Sequence, residues 1–392
     1  MKIDAVDFFY LAMPGIRDIA DGSQDAVLVR VRAGEYEGWG ECEASPLTTL
    51  ASLVCPMSHA ACKPVLHSVL GQRLDGPADI GRIGALVRSN SLDLLQADHT
   101  LSGIDVALWD LMGKRFGQPI YRLLGYPKAY PKLPYASVLF GDTGAETLSK
   151  AKRARADGFR AVKFGWGPFG KAGPKEDQEQ LVAAREGLGP DGILLVDAGT
   201  AFGEDVTRAA KALKALRLND ALWLEEPFVT GAFSAYAALS AYAGPVKLAA
   251  GEGCHSVHMA RHLLDYAGLG FIQIDTGRIG GISTAKQVAD LAEERGVTYV
   301  NHTFTSHLAL SAALQPYAGL ADHELCAYPT EMSPLARDLT LEHLRAEGEE
   351  GRIYLPDAPG HGMAPDLGTV RQYLVDVEIK VAGQTLYRTP HL

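Results

Sequence analysis

The 392-residue chain has no apolar run of about 18 residues, the length a helix needs to cross a bilayer, so no membrane span is expected. Its first residues, MKIDAVDFFYLAMPG, hold a short apolar stretch broken by Asp4 and Asp7 and no small-residue cleavage site, so no secretory leader is expected either. Cysteine is scarce. The five cysteines (Cys42, Cys55, Cys62, Cys254 and Cys326) are an odd number without CxxC spacing, which points to reduced thiols in a cytoplasmic enzyme. Positive charge is also in short supply: 37 Lys and Arg against 47 Asp and Glu leave a net charge of −10. Nucleic acid and anionic membrane surfaces need a cationic face, so neither is an expected partner. An anionic small molecule must then find local cations or a metal.

What is present is ordinary globular material, 47% hydrophobic and 21% charged. Residues 1–128 read as an α+β capping module. The alternating stretch Ala26–Ala33 and the Gly-punctuated return Glu37–Glu41 predict a strand meander. Helical spacing follows at Pro64–Gly71, Ile83–Ser89 and Leu101–Gly117. From residue 129 to 339 short apolar runs alternate with amphipathic stretches. Eight runs (Tyr135–Phe140, Ala161–Gly165, Ile193–Asp197, Leu222–Glu225, Val246–Ala250, Phe271–Asp275, Thr298–Asn301 and Glu324–Tyr328) start about 24–32 residues apart. That is one strand, one helix and two loops per unit, repeated as a closed (β/α)8 barrel of the TIM type requires. An open doubly wound sheet has similar units, but no glycine-rich dinucleotide fingerprint supports it. Residues 340–392 predict an acidic helix (Leu341–Glu350), a Pro/Gly loop (Pro356–Gly362) and an alternating end (Tyr373–Val381), together returning to the cap.

In a barrel the reactive groups come from the C-terminal strand ends. The third run ends at Asp197, the fourth at Glu225, and the fifth leads to Glu252. Three carboxylates converging on one mouth repel one another unless a cation sits between them, and oxygen-only ligands select a hard ion such as Mg2+. Taken singly, each reads as a surface carboxylate or a helix cap. Glu226 competes with Glu225, and strand alternation favours Glu225. The sixth run ends at Asp275 and the seventh leads to His302, a carboxylate beside an imidazole, which makes a general base. Lys163, inside the apolar second strand and across the mouth from His302, can hold an anionic carboxylate or move a proton if burial depresses its pKa.

With the cap module, these two constellations and the stretches GWGE (Gly38–Glu41), SGIDVALWDLMGK (Ser102–Lys114) and GGIS (Gly280–Ser283), nearly the whole chain resembles the enolase superfamily, mandelate racemase subgroup. The resemblance implies that Asp197, Glu225 and Glu252 bind Mg2+, which stabilises the enediolate formed when a Lys or His base removes the proton α to a carboxylate. Two departures stand out. Lys163-Phe164-Gly165 lacks the second lysine of the subgroup's Lys-x-Lys pair, which argues against two-base racemisation. The glutamate common on the eighth strand is replaced by Ala327, with Glu324 and Glu331 nearby, which leaves oxyanion support to groups such as Lys163.

One histidine base and a metal suffice for proton abstraction followed by β-elimination. Acid-sugar dehydratases of this family work that way, so the resemblance implies a Mg2+-dependent dehydratase that turns a sugar acid into a 2-keto-3-deoxy acid. Epimerisation or cycloisomerisation of a hydroxy acid is the alternative, and a metal–carboxylate binding barrel without chemistry is the reading from another class. Specificity is expected from the cap loops Met13–Gln24 and Ala44–Pro56, with Arg17, Asp18, Thr48 and Thr49 as candidate substrate contacts. By resemblance, a homo-oligomer between dimer and octamer is expected.

Overall fold

Three antiparallel strands open the chain in the computed structural model, which describes residues 1–43, 45–348 and 350–392. They are β1 (Ala5–Ala12), β2 (Asp25–Ala33) and β3 (Tyr36–Cys42). The sequence reading predicts β2 and β3 but passes over β1. Adjacent Phe8 and Phe9 are both buried, so β1 lacks a clean alternation. The strand is covered on both faces, because the C-terminal segment returns to it: Val375 N–H donates to Tyr10 O (2.8 Å) and the Tyr387 hydroxyl to Phe8 O (2.6 Å).

Against the meander lies the helix Ala97–Phe116, buried along nearly its whole length and ended by Gly117 in the left-handed region at φ 63°. Gly38 and Gly40 of the GWGE stretch let β3 approach its backbone: a Cβ at either would run into a main-chain carbonyl oxygen, Ala107 O or Gly103 O. The same helix docks on the second module. Ser283 N–H donates to Asp105 Oδ1 (3.0 Å), Gly280 N–H to Ser102 Oγ (2.8 Å) and the Trp109 indole to Ser283 Oγ (2.9 Å). The three motif stretches thus meet in one joint.

The second module is built on eight parallel strands: β4 (Leu133–Leu139), β5 (Ala161–Gly165), β6 (Ile193–Asp197), β7 (Ala221–Glu225), β8 (Lys247–Ala250), β9 (Phe271–Asp275), β10 (Thr298–His302) and β11 (Leu325–Pro329). They pair in chain order, with β11 returning beside β4, into a nearly closed barrel. Tyr135, Leu195, Trp223, Ala249 and Val300 fill its interior. Register aligns Gly165 with Asp197, Asp197 with Glu225, and Asp275 with His302, so these residues form one rim.

Between β10 and β11, side chains take the place of the backbone ladder. Asn301 Nδ2 donates to Ala327 O (3.2 Å) and Asn301 Oδ1 accepts from Ala327 N–H (3.0 Å), so its amide mimics a strand neighbour. Lower down, Tyr299 N–H donates to His323 Nδ1 (3.0 Å).

Three local expectations are corrected. The stretch Ala44–Pro56 is a helix over Pro46–Val54, started by proline at its first position, rather than a loop; Ala44 lies outside the described residues. Leu341–Glu350 is not a helix: Gly348 turns at φ 74° and Ala346–Glu347 pairs with Arg352–Ile353, while Glu349 lies outside the described residues. The alternating end starts later, because Leu367–Tyr373 is helical and only Glu378–Val381 forms a strand, paired with Gln384–Arg388. No helix among the described residues is long and apolar enough to cross a membrane.

Replacing Asn301 with leucine, branched in the same way but bulkier and unable to hydrogen-bond, strands the buried Ala327 N–H and C=O. The expected loss is about 3 kcal/mol of stability, at roughly 1–3 kcal/mol for each orphaned group. Chemical denaturation measures it, and an unchanged midpoint and slope would show that Asn301 does not close the seam.

Candidate active site

Strand β6 ends on Asp197 and β7 on Glu225, while Glu252 follows β8 after Gly251, whose φ of 131° turns the chain inward. One oxygen of each carboxylate lies within 4.8 Å of the others. The acid placed in the trio is Glu225. Glu226, the competitor, turns away at φ 36° and accepts the Thr230 hydroxyl at 3.5 Å. Burial pushes the Glu225 carboxyl up to about 7 and also raises Asp197. Glu225 Oε2 is buried with no hydrogen-bond partner. Such an orphaned oxygen beside two more carboxylates fits a hard divalent cation, and Mg2+ suits this all-oxygen donor set.

Lys163 projects from β5 into the same cluster. Its Nζ lies 2.5 Å from Glu225 Oε1 and 3.3 Å from Asp197 Oδ2. The depressed pKa that proton transfer would need is not found: burial alone lowers it, but Glu225 and Asp197 raise it well above the ordinary lysine value. Lys163 is thus paired with two of the three acids that would hold the cation. Gly165, where the subgroup's second lysine would stand, packs against the carboxylates: a Cβ there would sit 3.0 Å from Asp197 Oδ2.

His302 closes the opposite side. Its Nδ1 is 2.8 Å from Asp275 Oδ2, and Nε2 is 3.0 Å from Glu252 Oε2. Asp275 is itself held, since its Oδ1 accepts Gly277 N–H at 2.8 Å. Against the effect of burial, Glu252 and Asp275 raise the imidazole to about 10, and His302, Arg278 and Lys163 hold Glu252 below the usual carboxylate range.

A cavity of about 670 Å³ opens over this rim. Lys163, Asp197, Glu252 and His302 line its floor, and Arg17 of the cap loop lines its edge. Thr48 and Thr49 are corrected: both sit on the helix Pro46–Val54, where the Thr48 hydroxyl donates to Ser45 O (2.9 Å) and buried Thr49 accepts from Gln96 (3.3 Å). Neither lines the cavity, nor does Asp18. The eighth-strand position is corrected as well. Ala327 is mid-strand in the barrel interior, and Glu324 precedes the strand; the carboxylate at the mouth is Glu331, paired with Lys150 at 2.9 Å.

Sequence reasoning missed Arg278, which ion-pairs with Glu43 of the cap and donates to Glu252 O at 3.3 Å. Its only signal is position, three residues beyond strand-end Asp275 and two before Gly280. It also missed Trp166 and Phe304, which line the cavity.

The charge pattern dictates a proton count. A folded-state value of about 10 for His302, above the unperturbed 6.5, means a stability contribution fully present below about 6.5 and lost as pH rises through about 10. A cation that takes the Glu252 carboxylate removes the strongest support for the imidazolium, so Mg2+ binding at pH 8 is expected to release up to about one proton. Calorimetry in two buffers of different ionisation enthalpy reads this directly; proton uptake, or none exchanged, would contradict the arrangement.

Residues 19–125 match the family described as "Mandelate racemase / muconate lactonizing enzyme, N-terminal domain", and residues 146–369 match "Enolase C-terminal domain-like". The chain is 59% identical to a protein from Rhodobacter sphaeroides described as "predicted Mandelate racemase", whose crystal structure it matches with a TM-score of 0.96 over 100% of both chains. It is 30% identical to a D-galactarolactone cycloisomerase from Agrobacterium fabrum, over 86% of this chain and 88% of that one. It is also 29% identical to an L-talarate/galactarate dehydratase from Salmonella typhimurium, over 78% of this chain and 72% of the relative. With both family halves matched in order around one barrel mouth, the chain belongs to the enolase superfamily, in its mandelate racemase/muconate lactonizing enzyme group.

Proposed function

We propose that this protein is a sugar-acid dehydratase that removes the proton α to a carboxylate and eliminates water to give a 2-keto-3-deoxy acid. The observation that carries the reading is the His302–Asp275 dyad, whose second ring nitrogen, Nε2, faces Glu252 of the acidic trio on the cavity floor. Asp197, Glu225 and Glu252 would hold Mg2+, which supplies the positive charge that a carboxylate needs before it can take on a second negative charge as an enediolate.

The chain's own residues do the rest. His302 Nε2 takes the α-proton, with Asp275 on Nδ1 fixing the tautomer and stabilising the imidazolium. The C–H electron pair moves into the enediolate, which then forms the Cα–Cβ double bond as the Cβ–O bond breaks. Hydroxide leaves as water with the proton from His302, and the enol tautomerises to the ketone. Lys163 keeps its charge and balances the carboxylates. Inverting a stereocentre calls for a second base, and Gly165 stands where the subgroup's second lysine would be, so epimerisation is the weaker reading.

Cycloisomerisation is the second reading, and the scarcity of free acids favours it. When the β-oxygen belongs to a lactone ring it departs as a carboxylate and needs no proton. The steps up to the enediolate are the same. Sugar acids as the substrate class are supported by the curated relatives of both kinds. A cytoplasmic setting belongs to the same reading, supported by the five free cysteines.

His302→Asn separates binding from chemistry. The variant is expected to keep Mg2+ affinity within a few-fold and to lose α-proton exchange with solvent deuterium by about a thousandfold or more, in line with removal of a general base. Proton NMR on a panel of aldonic acids, aldaric acids and their lactones reads the exchange. Full exchange in the variant, or none in the parent protein with any of the panel, would overturn the enediolate reading.

A further inference from the structure

Among the described residues, Trp166 is the one aromatic residue with a left-handed backbone. It follows β5 directly, lies on the cavity wall, and is 43% exposed, whereas Trp39, Trp109 and Trp223 are 4%, 6% and 0% exposed. Its backbone is left-handed at φ 58°, a conformation a bulky residue rarely adopts, and Gly167 continues it at φ 63°. Strain of this kind persists only where the surroundings over-determine it, and it concentrates at ligand sites.

The surroundings do so here. Phe169, fully buried, stacks on Phe140 with ring centroids 5.5 Å apart and anchors the loop just beyond the strain. Gly167 is packed so tightly that a Cβ would lie 3.0 Å from Phe140 Cβ. The indole rests on Gly199, where a Cβ would meet its ring carbons at 3.0 Å, and Gly199 N–H donates to Asp197 Oδ1 at 2.7 Å. The ring is therefore held next to Asp197 of the acidic trio through Gly199, and it lines the cavity. Lys171 Nζ lies 5.7 Å from the ring centroid.

We infer that Trp166 is a stacking platform for the ring of a cyclic sugar acid, and that the site prefers a lactone or anhydro-ring acid over the open-chain acid. The inference rests on the sugar-acid reading above and, within it, favours ring-opening cycloisomerisation over loss of water. A five- or six-membered ring offers a rigid apolar face of C–H groups that covers a flat indole, while a flexible open chain must be ordered to do the same and exposes hydroxyls on every side. A rigid platform beside the metal-binding carboxylates lets the acid group reach them while the ring lies on the indole.

The test uses the full chain loaded with Mg2+ and two probes, D-galactarolactone and galactarate. Trp166 is the exposed indole, so intrinsic fluorescence follows occupancy, with calorimetry giving Kd. The ring acid is expected to bind more tightly and to change the emission. Trp166→Ala should weaken the lactone at least tenfold and galactarate less than threefold, with Trp166→Phe retaining most of the lactone affinity. Trp166→Gly relaxes the left-handed backbone and serves as the folding control, expected to melt no lower than Trp166→Ala while binding as poorly. Equal losses for both acids, no loss for either, or a parent protein that binds only galactarate would overturn the inference. Loss of α-proton exchange in His302→Asn is read separately, so failure of the platform and failure of the enediolate reading are distinguishable.

Discussion

Negative charge crowded onto one rim is the constraint around which the rest is arranged. Asp197, Glu225, Glu252 and Asp275 end or follow adjacent strands, and buried carboxylates are costly without positive neighbours. The chain answers with three cationic groups, each tied to more than one acid. Lys163 spans Glu225 and Asp197, His302 spans Asp275 and Glu252, and Arg278 spans Glu43 and Glu252. A divalent cation entering this set would displace attractions already present, which would link its binding to proton release.

Arg278 shows how the cap and the barrel share the site. Its partner Glu43 comes directly after β3, and β3 is held by the glycine-to-helix contact that the GWGE and SGID stretches make together. The cap loop over the cavity is secured from its other end: buried Gln24 accepts Arg17 N–H (2.7 Å) and donates back to Arg17 O (2.9 Å). Ser333, beyond β11, donates two hydrogen bonds to Ser23, from its N–H to the hydroxyl at 2.7 Å and from its own hydroxyl to the carbonyl at 2.6 Å. The motif glycines thus serve a joint, and the joint keeps an arginine and a loop in reach of the barrel mouth.

Legibility followed local pattern. Asp197, Glu225, Asp275 and His302 could be read from the chain because a buried parallel strand is an apolar run and its last residue must open onto the mouth. Thr49 misled because polarity in a stretch without strand pattern looks like a loop, while Pro46 in fact starts a helix that buries it. Leu341–Glu350 misled because its helical composition carried more weight than Gly348, whose left-handed turn makes a hairpin. Lys163 was found, but the choice between holding an anion and moving a proton stayed open, since an apolar strand says nothing about which acids lie across the barrel.

Repeat spacing and strand-end chemistry, both local properties of the chain, determined by themselves the barrel class, the acidic trio and the carboxylate–imidazole pair. The tertiary structure alone decided that Lys163 pairs with two acids of the trio, that Arg278 bridges Glu43 of the cap and the Glu252 carboxylate, and that Trp166 faces the cavity. Each depends on distances between residues far apart in sequence or on a backbone turn imposed by packing, and neither is encoded in the pattern of any one segment.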